Sequence, residues 1–301
     1  MIGAHINRLH APGARPSMTA HIKAAIGEAA REGIELRSAS IFVGGPRNRA
    51  LTLRGAEADE LKEFLSASGV IVIAHGAYPD NEVWTGSLPA GIFVRSERAL
   101  CQRAGVSGLV IHLPAAPSST VLPILPSLYT ASTPDVKIYL EIPAVAPSNA
   151  HYASGEDLGE LFRLIRERYD ADLARVGLCL DTAHLWTSGV DIASYAAAEK
   201  WLEGLEGASD TIPPDAIMLH LNDSLRTCGT GPDAHAGLAA GKIWGTYRDA
   251  LADSGLAAFV DYAVRNDTVT ILERKPVEKL VEDYRVLYAL APSARVKDRG
   301  L

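Results

Sequence analysis

Short apolar runs alternate along the chain with longer stretches in which apolar residues recur at helical spacing. The runs predict eight strands, over residues 2–6, 38–42, 70–74, 108–112, 137–142, 176–181, 217–222 and 269–273. The helical spacing predicts helices over residues 20–31, 56–66, 93–103, 121–129, 156–168, 192–206, 247–255 and 277–290. Nearly continuous apolar strands separated by helices are typical of a parallel sheet that is covered by helices.

Eight strand–helix units in 301 residues favour a closed (β/α)₈ TIM barrel over two doubly wound domains. The fourth unit carries the weakest helical pattern, because prolines interrupt residues 121–129. A Ser/Gly-rich linker is missing from the sequence. We therefore expect one catalytic domain over residues 1–292 and a polar C-terminal tail over residues 293–301.

Composition narrows the class of protein only a little. The net charge is −7, from 29 basic and 36 acidic side chains, so bulk charge does not indicate nucleic-acid binding. Metal ions held by carboxylates could still supply positive charge locally. The three cysteines, at unrelated spacings, fit reduced thiols in an intracellular protein, cytoplasmic or nuclear. With no apolar run of membrane-spanning length and no large apolar helix face, we expect a monomer that does not contact membranes.

Polar residues stand at the C-terminal ends of six consecutive predicted strands, the third to the eighth. These residues are His75, His112, Glu141, Asp181 (followed by His184), His220 and Glu273. In a barrel all these ends lie on the face where such folds place active sites. Clustered buried carboxylates repel one another and lose hydration unless cations hold them. The pattern therefore predicts a metal centre.

The loop after the seventh strand adds Asp233 and His235, which lie on the same side of an extended backbone and can chelate one ion. With this pair the candidate ligands number five histidines and four carboxylates. Imidazole and carboxylate without thiolate suit zinc, manganese or iron. Nine ligands exceed the needs of one tetrahedral ion, so two or three ions are expected.

In this order along the chain, the segments resemble endonuclease IV, a family of multi-zinc apurinic/apyrimidinic (AP) endonucleases with a xylose-isomerase-like barrel. The most specific segment is Asp181-Thr182-Ala183-His184, which is similar to the family's Asp-Thr-x-His motif. The segment from His220 to Ser224 and the Asp233-x-His235 pair resemble two further motifs of the family. The similarity extends over essentially the whole chain.

The resemblance implies a DNA-repair enzyme that acts in base excision repair with three zinc ions, manganese being an alternative in part of the cluster. It would hydrolyse the phosphodiester 5′ to abasic sites in duplex DNA, leaving a 3′-hydroxyl and a 5′-deoxyribose phosphate. It implies three ligand sets, with Glu141 as the catalytic bridging ligand: His75, His112 and Glu141; Glu141, Asp181, His220 and Glu273; His184, Asp233 and His235.

Loops at the barrel mouth are expected to contact DNA. The second loop offers Arg47, Asn48 and Arg49 on a Gly/Pro frame, which we expect to enter the minor groove. Tyr78, just past the third strand, is expected to contact the DNA stack or backbone. His5 is expected to support the ligands or to pack in the core rather than to bind metal.

Two alternatives remain open from the sequence. A metal-dependent sugar isomerase or epimerase could use the same barrel, but it would not need His184, Asp233 and His235 together. A DNA-damage binding protein could keep the metals and lack turnover. The loops after His112 and Glu141 differ from the family's usual residues, which keeps this second alternative open.

Overall fold

Eight parallel strands form a closed barrel in the computed structural model of the chain. The structure describes residues 1–7, 16–47, 49–128, 135–169, 175–208, 210–274 and 277–290. The barrel strands are β1 Ile2–Ile6, β2 Ser38–Phe42, β3 Ile71–His75, β4 Gly108–His112, β5 Lys137–Glu141, β6 Val176–Asp181, β7 Ile217–His220 and β10 Val269–Leu272. Two short antiparallel strands, β8 Asp223–Ser224 and β9 His235–Ala236, follow β7. The predicted (β/α)₈ fold is confirmed.

Nine α-helices are present in the described part of the chain. They are α1 Met18–Arg31, α2 Gly55–Ser68, α3 Leu88–Ala104, α4 Ser118–Val121, α5 Gly155–Tyr169, α6 Thr182–Thr187, α7 Tyr195–Glu206, α8 Gly255–Arg265 and α9 Val277–Leu290. Short 3₁₀ helices include Tyr78–Thr85 and Leu125–Leu128. Serine side chains cap several of these helices, since Ser17, Ser87 and Ser194 each accept a backbone N–H from the first turn.

The predicted strands agree with the observed ones to within two residues at each end, but two helix predictions are wrong. The sequence predicts a helix over residues 247–255, whereas α8 begins at Gly255, where the Ser254 hydroxyl accepts the Ala257 N–H. The described part of the helix predicted over residues 121–129, residues 121–128, does not form one helix. Instead α4 ends at Val121 and a 3₁₀ turn follows, because Pro123 and Pro126 cannot donate the backbone hydrogen bonds that a helix interior needs.

The chain divides into two compact units, each described here by itself. The N-terminal unit comprises Ile2–Glu141 and Ile165–Gly177, and the C-terminal unit comprises Met1, Ile142–Leu164 and Leu178–Leu301. In the N-terminal unit β1 to β5 pair in sequence, and in the C-terminal unit β7 pairs with β6 and β10. The single catalytic domain expected over residues 1–292 stays a prediction, and the tail lies outside the described residues.

No helix in the described ranges has the length and apolar character needed to cross a bilayer.

Candidate metal centre

Three predicted ligands of the N-terminal unit meet at the C-terminal ends of β3, β4 and β5. The strand register places His112 directly beside Glu141. The Nε2 atoms of His75 and His112 each lie 3.3 Å from the same oxygen, Oε2 of Glu141. Around a tetrahedral zinc ion with bonds of about 2.0–2.1 Å, neighbouring ligand atoms are roughly 3.3–3.4 Å apart. The three side chains therefore have the spacing of ligands around one ion.

A backbone carbonyl fixes how the His75 ring faces the site, and an indole holds the main chain of His112. The Nδ1 atom of His75 lies 2.8 Å from the Gly76 carbonyl oxygen, which can only accept a hydrogen bond. The proton of a neutral His75 ring therefore belongs on Nδ1, and Nε2 presents its lone pair towards Glu141. At the end of β4 the Trp84 indole donates to the His112 carbonyl oxygen over 2.6 Å, which holds the backbone of that ligand.

Aromatic rings surround the N-terminal ligands. Phe42, the register partner of His75, contacts the His75 ring at 5.3 Å between centroids, and the buried His5 ring lies against Phe42 at 4.9 Å. Tyr78 lies 5.7 Å from His75 and 6.1 Å from His112, again between centroids, and half of it is exposed (50 %). His5 thus packs on the ring that contacts His75, and its supporting or core role stays a prediction.

The C-terminal unit brings together the other six predicted ligands. Register pairs Asp181 at the end of β6 with His220 at the end of β7. The Asp181 carboxylate caps α6 by accepting the N–H groups of Ala183 and His184, at 2.7 and 3.0 Å, so His184 lies in the first turn of that helix. The Nδ1 atom of His184 lies 2.8 Å from the Ile142 carbonyl oxygen, which leaves Nε2 facing the cluster.

Donor atoms of this second group also have the separations of metal ligands. His235 Nε2 lies 3.1 Å from Asp233 Oδ2 and 3.8 Å from Asp181 Oδ2. His184 Nε2 lies 3.7 Å and 3.8 Å from the same two oxygens. One ligand atom each from Asp181, His184 and His235 falls within 4.8 Å of the others. The spacing allows Asp181, His184 and His235 to share an ion, and Asp233 contacts the two histidines of this set.

His220 and Glu273 form the other part of the C-terminal group. His220 Nδ1 lies 3.5 Å from Glu273 Oε2 and 3.9 Å from Asp181 Oδ2. Glu273 directly follows β10, which pairs with β7 through Ile271 and His220. Asp181 therefore has histidine nitrogens of both parts near its Oδ2 atom.

Charges couple the side chains of the C-terminal group. Burial raises the pKa of Asp181, and the neighbouring His184 and His235 oppose that rise. Burial alone would lower the pKa of His235, but hydrogen bonding to Asp233 and the charges of Asp181 and Glu273 raise it to about 9. Burial would likewise raise the pKa of Asp233, yet hydrogen bonds with His184 and His235 hold it well below its usual value. The opposite charges of these histidines and carboxylates favour one another, and a divalent cation would balance the same carboxylates.

Asn222 is a site residue that the sequence prediction missed. Its amide donates to Asp181 Oδ2 over 2.7 Å and to Glu273 Oε2 over 3.2 Å, so it fixes two predicted ligands at once. Thr182 Oγ1 in turn accepts the Asn222 N–H over 2.8 Å. The position of Asn222, two residues after His220, does not identify this role, because its two partners lie 41 and 51 residues away along the chain.

The predicted DNA-contacting residues lie on two connected loops of the N-terminal unit. Tyr78 N–H donates to the Pro46 carbonyl oxygen over 3.0 Å, which places Tyr78 beside the loop that carries Arg47. Arg47 is exposed, and Arg49 forms a 2.6 Å ion pair with Glu82. Asn48 lies outside the described residues. Contact of these loops with DNA stays a prediction.

Comparison with known proteins places the chain in a family. Residues 25–290 match the family described as Xylose isomerase-like TIM barrel. A probable AP endonuclease of African swine fever virus (isolate Tick/Malawi/Lil 20-1/1983) is 38% identical over 242 residues, which cover 80% of each chain. The chain belongs to the AP endonuclease family of xylose isomerase-like TIM barrels. The family resemblance inferred from the sequence is confirmed.

Solved structures agree with this family assignment. The structure described as AsfvAP:AG has a TM-score of 0.90 and 33% identity to this family member, and covers 96% of this chain and 98% of its own. Endonuclease IV from Thermus thermophilus has a TM-score of 0.71 at 24% identity, with 97% and 99% covered, and shows the same fold.

Proposed function

We propose that this AP endonuclease family member cleaves duplex DNA at abasic sites in base excision repair. It would hydrolyse the phosphodiester on the 5′ side of the abasic sugar and leave a 3′-hydroxyl and a 5′-deoxyribose phosphate. One observation carries the proposal: His184, Asp233 and His235 lie around Asp181 with metal-ligand spacing, beyond the donors that a one- or two-metal sugar isomerase needs.

Both ligand groups fit zinc by donor type and by spacing. Each group offers imidazole and carboxylate donors without thiolate. The buried Cys101 lies in α3 and the buried Cys179 in β6, and neither is among these ligands. Bound divalent ions supply Lewis acidity and lower the pKa of water that attacks phosphorus. The number of ions, three, and the bridging role of Glu141 stay predictions from the family resemblance.

The side chains around the ligands have separate tasks in this proposal. Carbonyl-bonded His75 and His184 present fixed nitrogens, and Asn222 orients the two carboxylates it contacts. Tyr78 offers a half-exposed ring directly beside His75 and His112, where it would contact a sugar or base next to the reacting phosphate. Arg47 on the adjoining loop would contact DNA phosphate.

Incision of a defined substrate tests the proposal. The protein is incubated with duplex DNA that carries a single tetrahydrofuran abasic analogue, with and without a strong zinc chelator. We expect incision on the 5′ side without added magnesium, lost after chelation and restored by zinc. DNA binding without incision would favour a DNA-damage binding protein, and neither binding nor incision would favour a sugar isomerase or epimerase.

Tyr78 provides a test of the DNA interface. Replacing Tyr78 by Ala removes a half-exposed ring, and aromatic contacts with nucleic acid are worth about 1–3 kcal/mol each. We expect the affinity for abasic duplex to fall about 5- to 150-fold, measured by fluorescence anisotropy on metal-stripped protein. Tyr195→Ala is the matched control, because Tyr195 hydrogen-bonds Asp261 between α7 and α8, in the other unit. Equal affinity of the Tyr78→Ala variant and the unmodified protein would contradict the predicted contact.

A further inference from the structure

A buried carboxylate just beyond the ligand His220 fastens the backbone of a neighbouring loop. Asp223 has no exposed surface and accepts several backbone hydrogen bonds. Oδ1 accepts the N–H groups of Ser224 at 2.7 Å and Ile243 at 3.0 Å, and Oδ2 accepts that of Gly241 at 3.0 Å. Because both of its oxygens already accept backbone N–H groups, this carboxylate orders the backbone around it rather than binding a separate ligand.

Asp223 belongs to the short ribbon that holds the metal ligand His235. In the antiparallel pair β8–β9, Asp223 is opposite Ala236 and Ser224 is opposite His235. Next to the pair, Leu225 N–H donates to the Ala234 carbonyl oxygen over 2.8 Å. The Asp233–His235 segment therefore pairs with Ser224 and Leu225, the two residues that follow Asp223.

A ribbon of two residues per strand is not stable by itself, since even longer isolated hairpins are marginal in water. The chain leaves β9 at Ala236 and returns to β8 at residues 241–243, where Asp223 binds two of its N–H groups and the Ser224 carbonyl oxygen accepts that of Lys242 at 2.6 Å. Strand β9 is thereby held by its pairing with β8 and by the attachment of the following residues, 241–243, to β8.

The returning segment, residues 241–243, packs closely against the Asp223 carboxylate. A Cβ atom placed on Gly241 would lie 2.3 Å from Asp223 Oδ1 and 2.5 Å from the Ser224 carbonyl oxygen. Only glycine fits at that distance, so the backbone of the returning segment and the Asp223 side chain are matched to each other.

We propose that Asp223 is a positioning residue for Asp233 and His235, and that it determines how tightly their metal ion is held without touching the ion or the DNA. The inference rests on the proposed metal centre. Without the hydrogen bonds of Asp223 to Gly241 and Ile243, residues 241–243 would no longer be fixed beside β8, and β9 would become more mobile. The donor atoms of His235 and Asp233 would then no longer be held near Asp181 and His184. Outer partners of metal ligands typically contribute 10- to 100-fold to affinity.

Zinc titration of the metal-stripped full chain tests this role. We expect Asp223→Asn to weaken one class of zinc sites about 10- to 100-fold relative to the unmodified protein, with incision restored by excess zinc. Arg98→Met is the control for lost stability alone: Arg98 is fully buried in the N-terminal unit and donates to the Leu128 and Val136 carbonyl oxygens, each over 2.7 Å. This control should lower the melting temperature and keep every zinc site.

Gly241→Ala is the second variant, for the case that Asp223→Asn does not fold, because it keeps the carboxylate and displaces the returning backbone. It should weaken the same class of sites. Zinc affinities equal to those of the unmodified protein in a folded Asp223→Asn or Gly241→Ala variant would overturn the positioning role and leave the proposed function standing. An unmodified protein that binds no zinc and incises no abasic DNA would overturn both.

Discussion

Replacement of Glu141 by Gln is expected to reduce incision of abasic DNA by more than about 100-fold, since losing even an outer partner of a metal ligand costs 10- to 100-fold. Glu141 is buried, and its Oε2 atom has the Nε2 atoms of His75 and His112 at 3.3 Å. Glutamine keeps the volume and removes the negative charge. Its NH₂ group also has no lone pair to offer an ion.

Single-turnover incision of a tetrahydrofuran-containing duplex measures this effect, with zinc content determined on the same samples. Glu160→Gln is the matched control, because Glu160 is an exposed partner of Arg163 on α5, and surface ion pairs contribute little to stability. Melting temperatures of both variants separate a lost ligand from a lost fold. Unchanged incision in folded Glu141→Gln protein would remove Glu141 from the metal centre.

Removal of zinc is expected to destabilise the protein strongly. A ligand present at 1,000 times its Kd stabilises the folded state by about 4 kcal/mol, so stripping even one ion should lower the melting temperature by on the order of 10 °C. The physical cause is the donor cluster itself: without an ion, burial and the charges of Asp233 and Glu273 disfavour the ionised Asp181 carboxylate, and the charges of His184 and His235 oppose this effect.

This stabilisation should depend on pH in a defined direction. In the metal-free protein the pKa of His235 is raised from 6.5 to about 9, so its protonated form stabilises the metal-free fold below about pH 6.5. That contribution is lost as the pH rises through about 9. Zinc has to displace the same proton, and the gap between the melting temperatures of loaded and stripped protein should therefore widen from pH 6.5 to 9.

Thermal unfolding of loaded and stripped protein across this range checks the prediction. Calorimetric zinc titrations in buffers of different ionisation enthalpy should show proton release. In His235→Asn the gap should shrink and lose most of its pH dependence, while His151→Asn, which changes an exposed loop histidine, should behave like the unmodified protein. A gap that narrows with rising pH would exclude His235 as a metal ligand.

Strand positions followed from the sequence because buried parallel strands are nearly continuous apolar runs. That pattern also identified the candidate ligands, because burial in an apolar core does not explain a histidine or carboxylate at the end of such a strand. Helix limits followed less well. The predicted helix over residues 247–255 ends where α8 begins, and Ser254, the residue that caps α8, lies inside that predicted helix.

Residues that orient the ligands were beyond sequence reasoning for a different reason. Asn222 touches Asp181 and Glu273, which are 41 and 51 residues away along the chain. Asp223 binds the N–H groups of Gly241 and Ile243, which become its neighbours only when the chain returns after β9. Nearly every residue has a backbone N–H group, so the sequence does not show which of these groups a side chain will bind. Such contacts can be identified only in a structure.

The carbonyl oxygens of Gly76 and Ile142, which set the ring orientation of His75 and His184, belong to the main chain. Substitution of side chains cannot delete them. Mutations at Tyr78 or Arg47, the predicted DNA contacts, would therefore leave the carbonyl partners of these two ligands in place. The orientation of these two ligand rings is in this respect independent of side-chain changes in the loops, so we expect it to persist in relatives whose loop residues differ.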